Sequence, residues 1–421
     1  MNRIAKAALM ITAGLMPLAA TIASAETINW ALWDWDKTAY YKPLIKAFEA
    51  KYPDIKVTYT DLGSADYNTM LMTQLSGGGS DLDVVQVKDI PGYANLMKSN
   101  AIISLNDDIK KAGIDASAYG GLIEELTVEG NTYALPFRSD SWILYYNKDL
   151  FDKAGIAYPS NDMTWDQFAD TARKVTSGFG ANKNYGALFH TWRSTVELPC
   201  ILDGKHSLDG GHYAFLKPCY ERVLKLQEEK VVPSYASLKT SGTHYSGPFF
   251  NGQVAMLPMG SWFIGTQIAK VASGESLSKN WGLAKYPHPE GVKAGTTAAT
   301  ITSLAVSANS KHQDAALKFV NFVAGSEGAK IIAGTGTLPA IRDDEVLGVI
   351  TSKEGYPQDE NSKKALQTVK GYLEMPVNLL AAKMEVVLNR AHDSIMTDNI
   401  SIDEGLKEMD EGVQQIIKEN Q

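Results

Sequence analysis

The sequence predicts an α/β protein folded as two or three closely joined domains, and three observations carry that reading. Strand-like and helix-like hydrophobic patterns alternate from residue 27 onward. The 421 residues are 44% hydrophobic and 21% charged, enough for more than one core and unlike collagenous, disordered or coiled-coil chains. The 16 Pro and 35 Gly are scattered, so no low-complexity linker separates the domains.

Residues 27–33 read as a buried strand, and Tyr41, Leu44, Ile45 and Phe48 then recur at helical spacing, with Pro43 tolerated in the first turn. Residues 55–62 alternate as a second strand, 66–76 read as a helix, 83–87 as a short apolar strand and 90–99 as a helix. Strands separated by helices imply a largely parallel sheet. Beyond a turn at 129–131 come two extended runs, 132–137 and 142–147, split by polar residues 138–141. No helix fits between them, the pattern of a chain crossing from one lobe to another.

Helices follow at 148–155 and after Thr164, whose partner Gln167 completes a capping box. Others are expected at 213–230, 262–272 and 311–324, with strands at 254–257, 281–285 and 301–307. Two C-terminal helices, 379–396 and 401–418, close the chain, the second opening with the capping box Ser401 and Glu404.

The first 25 residues read as a cleavable secretory signal. Arg3 and Lys6 precede an apolar run that Pro17 interrupts and that is too short for the ~20 residues a bilayer requires; Ala23, Ser24 and Ala25 suit a signal peptidase. Glu26 rather than Cys would begin the mature chain, so a free periplasmic protein is expected, not a lipoprotein. Loss of Arg3 and Lys6 lowers the formal charge of −8 by a further two. Without a Lys/Arg cluster, nucleic acid is not an expected partner.

Cys200 and Cys219 are the only cysteines. Export favours a disulfide between them. A metal site with His206 and His212 is the rival, but its spacing matches no common zinc pattern, and free thiols are the third possibility. No metal or cofactor is expected. Gly77, Gly78 and Gly79 precede a strand and lack the Lys-Ser/Thr ending of a phosphate-binding loop, and Gly260-Ser261-Trp262 is no nucleophile elbow. His190, His244, His288, His312 and His392 are scattered without metal spacing and read as surface or satisfied residues.

Aromatic residues beside polar ones recur in predicted loops: Trp33-Asp34-Trp35-Asp36-Lys37, Phe189-His190-Thr191-Trp192-Arg193 and Met259-Gly260-Ser261-Trp262. A sugar presents an apolar C–H face and a rim of hydroxyls, which flat rings and polar groups together can bind. Each Trp is equally compatible with filling a core.

These residues, with residues 82–87 (LDVVQV), 133–140 (YALPFRSD), 145–151 (YYNKDLF), 164–168 (TWDQF), 250–256 (FNGQVAM) and 337–340 (TLPA), resemble the family 1 extracellular solute-binding proteins, the sugar receptors of bacterial ABC importers. The likeness runs through the mature chain in the family's order. It implies a two-lobed periplasmic binding protein fold with a hinge, of type II-like layout, and a ligand cleft between the lobes. On that mapping the N-lobe comprises 26–138 and 303–339, the C-lobe 141–300 and 341–421, with hinges near 138–141, 299–303 and 338–341.

The resemblance also assigns candidate ligand contacts. Trp33, Trp35, Asp36 and Lys37 follow the first strand; Lys88 and Asp89 follow the strand at 83–87; Asp140 lies at the hinge. Trp192, Arg193, Gly260, Ser261 and Trp262 would face them from the C-lobe, with Gly295, Thr296 and Arg342 as further contacts. The implied function is capture of a mono- or oligosaccharide, polyol or sugar derivative by a monomer that delivers it to ABC permease subunits, without catalysis. Arg193 and Lys37 leave an anionic derivative open: a sugar acid, a sulfonated sugar or a glycerol phosphate diester. An exported glycosidase pairing Asp36 with Asp89 or Asp140, and a surface adhesion module, are the alternatives of other classes.

Overall fold

A computed structural model describes residues 25–77, 81–341 and 344–420. The signal-like segment, two glycines of the run at 77–79, and Arg342 therefore lie outside the described residues, apart from Ala25 and Gly77.

The first strand, β1 (Glu26–Leu32), pairs in parallel with β2 (Ile55–Asp61) and β3 (Val84–Val87). Helices Tyr41–Lys51, Tyr67–Ser76 and Ile90–Lys98 alternate with these strands, each burying an apolar stripe such as Tyr41, Leu44 and Phe48. A short hairpin, β4 (Thr127–Val128) with β5 (Asn131–Thr132), leads into the long strand β6 (Leu135–Asn147).

Two expectations are corrected here. The runs either side of 138–141 are one continuous strand of 13 residues, all buried. Its polar middle stays buried because Arg138 and Asp140 pair with each other and with Tyr40, Thr302 and Ser261. The sheet is also mixed, not largely parallel. Past β7 (Tyr185–Ala187), β8 (Val254–Gly260) and β9 (Trp281–Lys285) the chain enters β10 (Thr296–Val306), antiparallel to both β3 and β6, while β6 is antiparallel to β8 and β9. Among the strands of the described residues, β7 with β8, and β10 with β11 (Lys370–Leu373), add the further parallel pairs.

β6 and β10 thus belong to the sheet at both ends of the molecule. Ala299 to Thr302 pair with Ser141 to Arg138, and a third passage joins them where Arg138 bridges Pro339 and Ala340 N donates to the Phe137 carbonyl at 2.9 Å. On one side a core gathers Ile28, Trp30, Phe48, Leu304 and Phe319. On the other, Trp142, Tyr145, Trp165, Leu257 and Phe263 belong to a larger core that continues to the C-terminal helices Ala381–Met396 and Ile402–Glu419. Each fully buried large apolar side chain contributes about 1.5–3 kcal/mol.

Both capping boxes form, at Thr164 with Gln167 and at Ser401 with Glu404. A disulfide joins Cys200 to Cys219, their Cα atoms 6.3 Å apart.

Candidate functional site

A cleft of about 1640 Å³ opens between the two halves, larger than most small-molecule pockets. Its N-terminal wall begins where β1 ends. Asp34 takes a left-handed conformation (φ 52°), rare for a non-glycine residue, and a 3-10 turn, Trp35–Lys37, follows. That reversal divides the aromatic run. Trp33 turns into the cleft and packs edge-on against Tyr67 at 4.8 Å, whereas Trp35 turns out and stacks on Tyr59 at 3.6 Å.

Lys88 and Asp89 face the same space from the end of β3. Asp89 caps the helix Ile90–Lys98, accepting from Gly92 N at 2.7 Å and from Asn68 Nδ2 at 2.9 Å. Burial raises its carboxyl and lowers the Lys88 ammonium, each opposed by the other's charge. Lys88 Nζ donates to the Ser64 carbonyl.

The floor is made where β6 and β10 cross. Alternation places Arg138 and Asp140 on one face of β6, and Asp140 is fully buried. Arg138 Nε meets Asp140 Oδ2 at 2.8 Å, and its Nη1 and Nη2 donate to Tyr40 Oη (2.7 Å) and Thr302 Oγ1 (3.2 Å). Ser261 Oγ donates to Asp140 Oδ1 at 2.8 Å. Arg138, Thr300 and Thr302 line the floor; Asp140 and Ser261 lie beneath it.

The C-terminal wall is aromatic. Trp142 and Trp262 meet edge-on at 5.7 Å, Trp262 lies 6.3 Å from Trp192, and Trp192 lies 5.6 Å from Tyr245. Trp262 Nε1 donates to Tyr245 OH at 3.1 Å, so its one polar atom is satisfied within the wall. Gly260 makes this possible: a Cβ there would lie 2.0 Å from the Trp262 ring. His190 and His244 pack among these rings, and burial pushes them down to about 3 and about 4, so both are neutral.

A third wall comes from the helix Ala381–Met396 and the segment after β11. Arg193 is buried there, held by Glu197 and Glu385 at 2.5 Å each and by Asn389 Oδ1 at 3.3 Å. Glu374 accepts from Trp142 Nε1.

Of the sequence-derived contacts, Trp33, Lys37, Lys88, Asp89, Trp192, Arg193 and Trp262 line the cleft. Seven others do not. Trp35 is packed on Tyr59 and Tyr41, and Asp36 is exposed on the far side of the turn. Asp140 is paired with Arg138 and accepts from Ser261, and Gly260 seats the Trp262 ring. Gly295 and Thr296 meet the β11 edge: Val369 N donates to the Gly295 carbonyl, and Thr296 pairs with Lys370. Arg342 lies outside the described residues. Residues that sequence reasoning passed over include Asp34, Arg138, Trp142, Tyr245, Glu374 and Glu385. The first two stood inside motifs already singled out; the others carry no local signal, since distant segments bring them together. His190 and His244, read as surface or satisfied residues, also line the cleft.

A mixed α/β fold with two cores and a deep cleft that is aromatic on one side and polar on the other define a solute-binding protein of the two-lobed, hinged kind. The chain belongs to the bacterial extracellular solute-binding protein family, whose model matches residues 34–330. A solved structure of a sugar transporter from Rhizobium etli, in an open conformation, is 64% identical with a TM-score of 0.76, covering 93% of this chain and 99% of that one. The lactose-binding protein of Rhizobium radiobacter is 27% identical over 306 residues, 69% of each chain. The sn-glycerol-3-phosphate-binding periplasmic protein UgpB of Escherichia coli strain K12 is 26% identical over 306 residues, 68% of this chain and 67% of the relative.

Proposed function

We propose that this protein is the exported, periplasmic substrate-binding component of an ABC importer and that it captures a carbohydrate and hands it, chemically unchanged, to a membrane permease. The observation that carries this reading is the run of rings Trp142, Trp262, Trp192 and Tyr245 facing carboxylates, amides and hydroxyls across one cleft. Rings cover the apolar face of a pyranose, and polar groups take its hydroxyls, which cannot be left unpaired in a closed site.

Closure by approach of the lobes is the working motion. Thr266 Oγ1 already donates across the cleft to the Lys37 carbonyl at 2.9 Å, and the helix Ala381–Met396 packs on Ile90–Lys98 from the other half. Against a glycosidase, the carboxylates proposed as a catalytic pair are engaged elsewhere: Asp89 in a helix cap, Asp140 in a buried ion pair, and Asp36 outside the cleft. We assign the protein no catalytic step, and we take the monomer as the working unit.

The test is a thermal-shift screen across sugars, polyols, sugar acids and glycerol phosphate diesters, followed by calorimetry on hits. A ligand at 100-fold its dissociation constant adds about 2.7 kcal/mol of stability. Failure of every compound to stabilise the protein, or hydrolysis of a bound glycoside, overturns the reading.

A further inference from the structure

The charges around the cleft are unevenly committed. Lys37 pairs with Asp34 (3.3 Å), Arg138 with Asp140 (2.8 Å), Arg193 with Glu197 and Glu385 (2.5 Å each), Lys239 with Asp393 (3.0 Å) and Lys270 with Glu275 (2.5 Å). Lys88, the remaining cation of the lining, donates to the Ser64 carbonyl beside Asp89. Among the described residues, five of the six cationic heads of the lining are thus held in ion pairs, and the sixth, Lys88, is held by a backbone carbonyl.

Glu374 is the opposite case. It sits just past β11, its backbone N–H donating to the Ala299 carbonyl at 3.1 Å where β10 crosses between the halves. One carboxyl oxygen accepts from the Trp142 indole, the inner end of the aromatic wall; among the described residues the other oxygen has no hydrogen-bond partner, and the group forms no ion pair. Asp89 and Glu385 add negative potential around it, and the nearby Arg193 is already claimed. Burial pushes this carboxyl up to about 7, as expected of an acid that must either keep its proton or meet a donor.

We propose that Glu374 is the specificity-determining residue that sets the charge class of the ligand: it takes a hydroxyl or amine group beside the Trp142 and Trp262 rings and excludes sugars bearing a carboxylate, sulfonate or phosphate. This rests on the carbohydrate reading above and narrows it to neutral or amine-bearing ligands. Above pH about 7, where Glu374 is ionised, like charges a few ångströms apart in a partly desolvated cleft differ from a neutral pair by enough to weaken binding about tenfold or more.

The experiment uses the mature protein with matched probes, glucose, galactose, maltose and lactose, each beside its C6-oxidised uronate and its 6-amino-6-deoxy counterpart, plus glycerol beside sn-glycerol-3-phosphate. Thermal shift finds the binders and calorimetry gives their affinities in wild type, Glu374→Gln and Trp142→Phe. The expected result is that each neutral binder exceeds its anionic partner about tenfold or more in wild type, that Glu374→Gln narrows this ratio, and that Trp142→Phe, which keeps the carboxylate, preserves it. An anionic probe binding wild type as well as its neutral counterpart, or a ratio unchanged in Glu374→Gln, overturns the proposal and leaves the carbohydrate reading standing. Absence of binding by every probe overturns both.

Discussion

The Arg138 guanidinium and the Asp140 carboxylate meet at 2.8 Å, two residues apart on one strand, at the floor of the cleft. Through Tyr40 and Thr302 on one side and Ser261 on the other, this pair ties both crossing strands to both halves of the molecule.

Removing one member of a buried ion pair leaves the other charge uncompensated. Asp140→Ala is therefore expected to destabilise the fold by about 3–5 kcal/mol in urea unfolding, while joint replacement of Arg138 and Asp140 by apolar residues of similar volume costs less. Equal losses in the single and double variants would show that the pair is not the stabilising unit.

Trp192 and Trp262 separate from Trp35 by their environment. Trp262→Ala or Trp192→Ala should weaken ligand binding about tenfold or more, because each removes a ring facing the cleft. Trp35→Ala should leave affinity within about twofold while lowering the melting temperature, since its ring stacks on Tyr59 outside the cleft. Calorimetry on the three variants decides; a Trp35→Ala protein that loses binding contradicts the assignment of this wall.

The asymmetry between Trp33 and Trp35 also shows what could be read before the structure. Alternation along an extended run puts both on one face, and as a motif they look equivalent. The left-handed turn at Asp34, which breaks that alternation, has no sequence signal because Asp is only an occasional occupant of that conformation.

Glu374 gives a pH signature. Its carboxyl rises from 4.5 to about 7 by burial, so between these values the folded protein holds a proton that the unfolded chain has lost. Its contribution is fully present below 4.5 and is lost as pH rises through about 7, by no more than about 3 kcal/mol. Glu374→Gln should accordingly gain stability over wild type between pH 5 and about 8 in chemical denaturation. A difference between the two proteins that does not change with pH would refute the raised carboxyl.

The disulfide closes a short loop, with 19 positions separating Cys200 from Cys219. Replacing both by Ser should cost about 3 kcal/mol in the chain-entropy treatment. Because the half-exposed Cys200 and the buried Cys219 lie outside the cleft, ligand affinity should be retained. A double variant with wild-type stability, or with binding abolished, would show that the bond plays another part.

Much of the secondary structure was determined locally. The helix Trp165–Val175 follows from its capping box and apolar stripe, and β1, β2 and β3 from their short apolar or alternating runs. The extended passage through 138–141 was legible too, because no helical period runs through it. The direction of β10 against β6 was not legible, since strand pairing is a relation between segments far apart in the chain and hydrophobic period carries no sign.

The same division holds at the site. By itself the sequence determined which residue types were available for a sugar: indole rings beside acids and amides, in loops that follow strands. Tertiary structure alone decided which of them share a cavity. It brought Trp142, Tyr245 and Glu374 from three distant segments to one cleft, and it turned Asp140 from a candidate ligand group into the partner of Arg138. A buried charge takes the nearest opposite charge that the fold supplies, and that distance is set by packing, not by position in the chain.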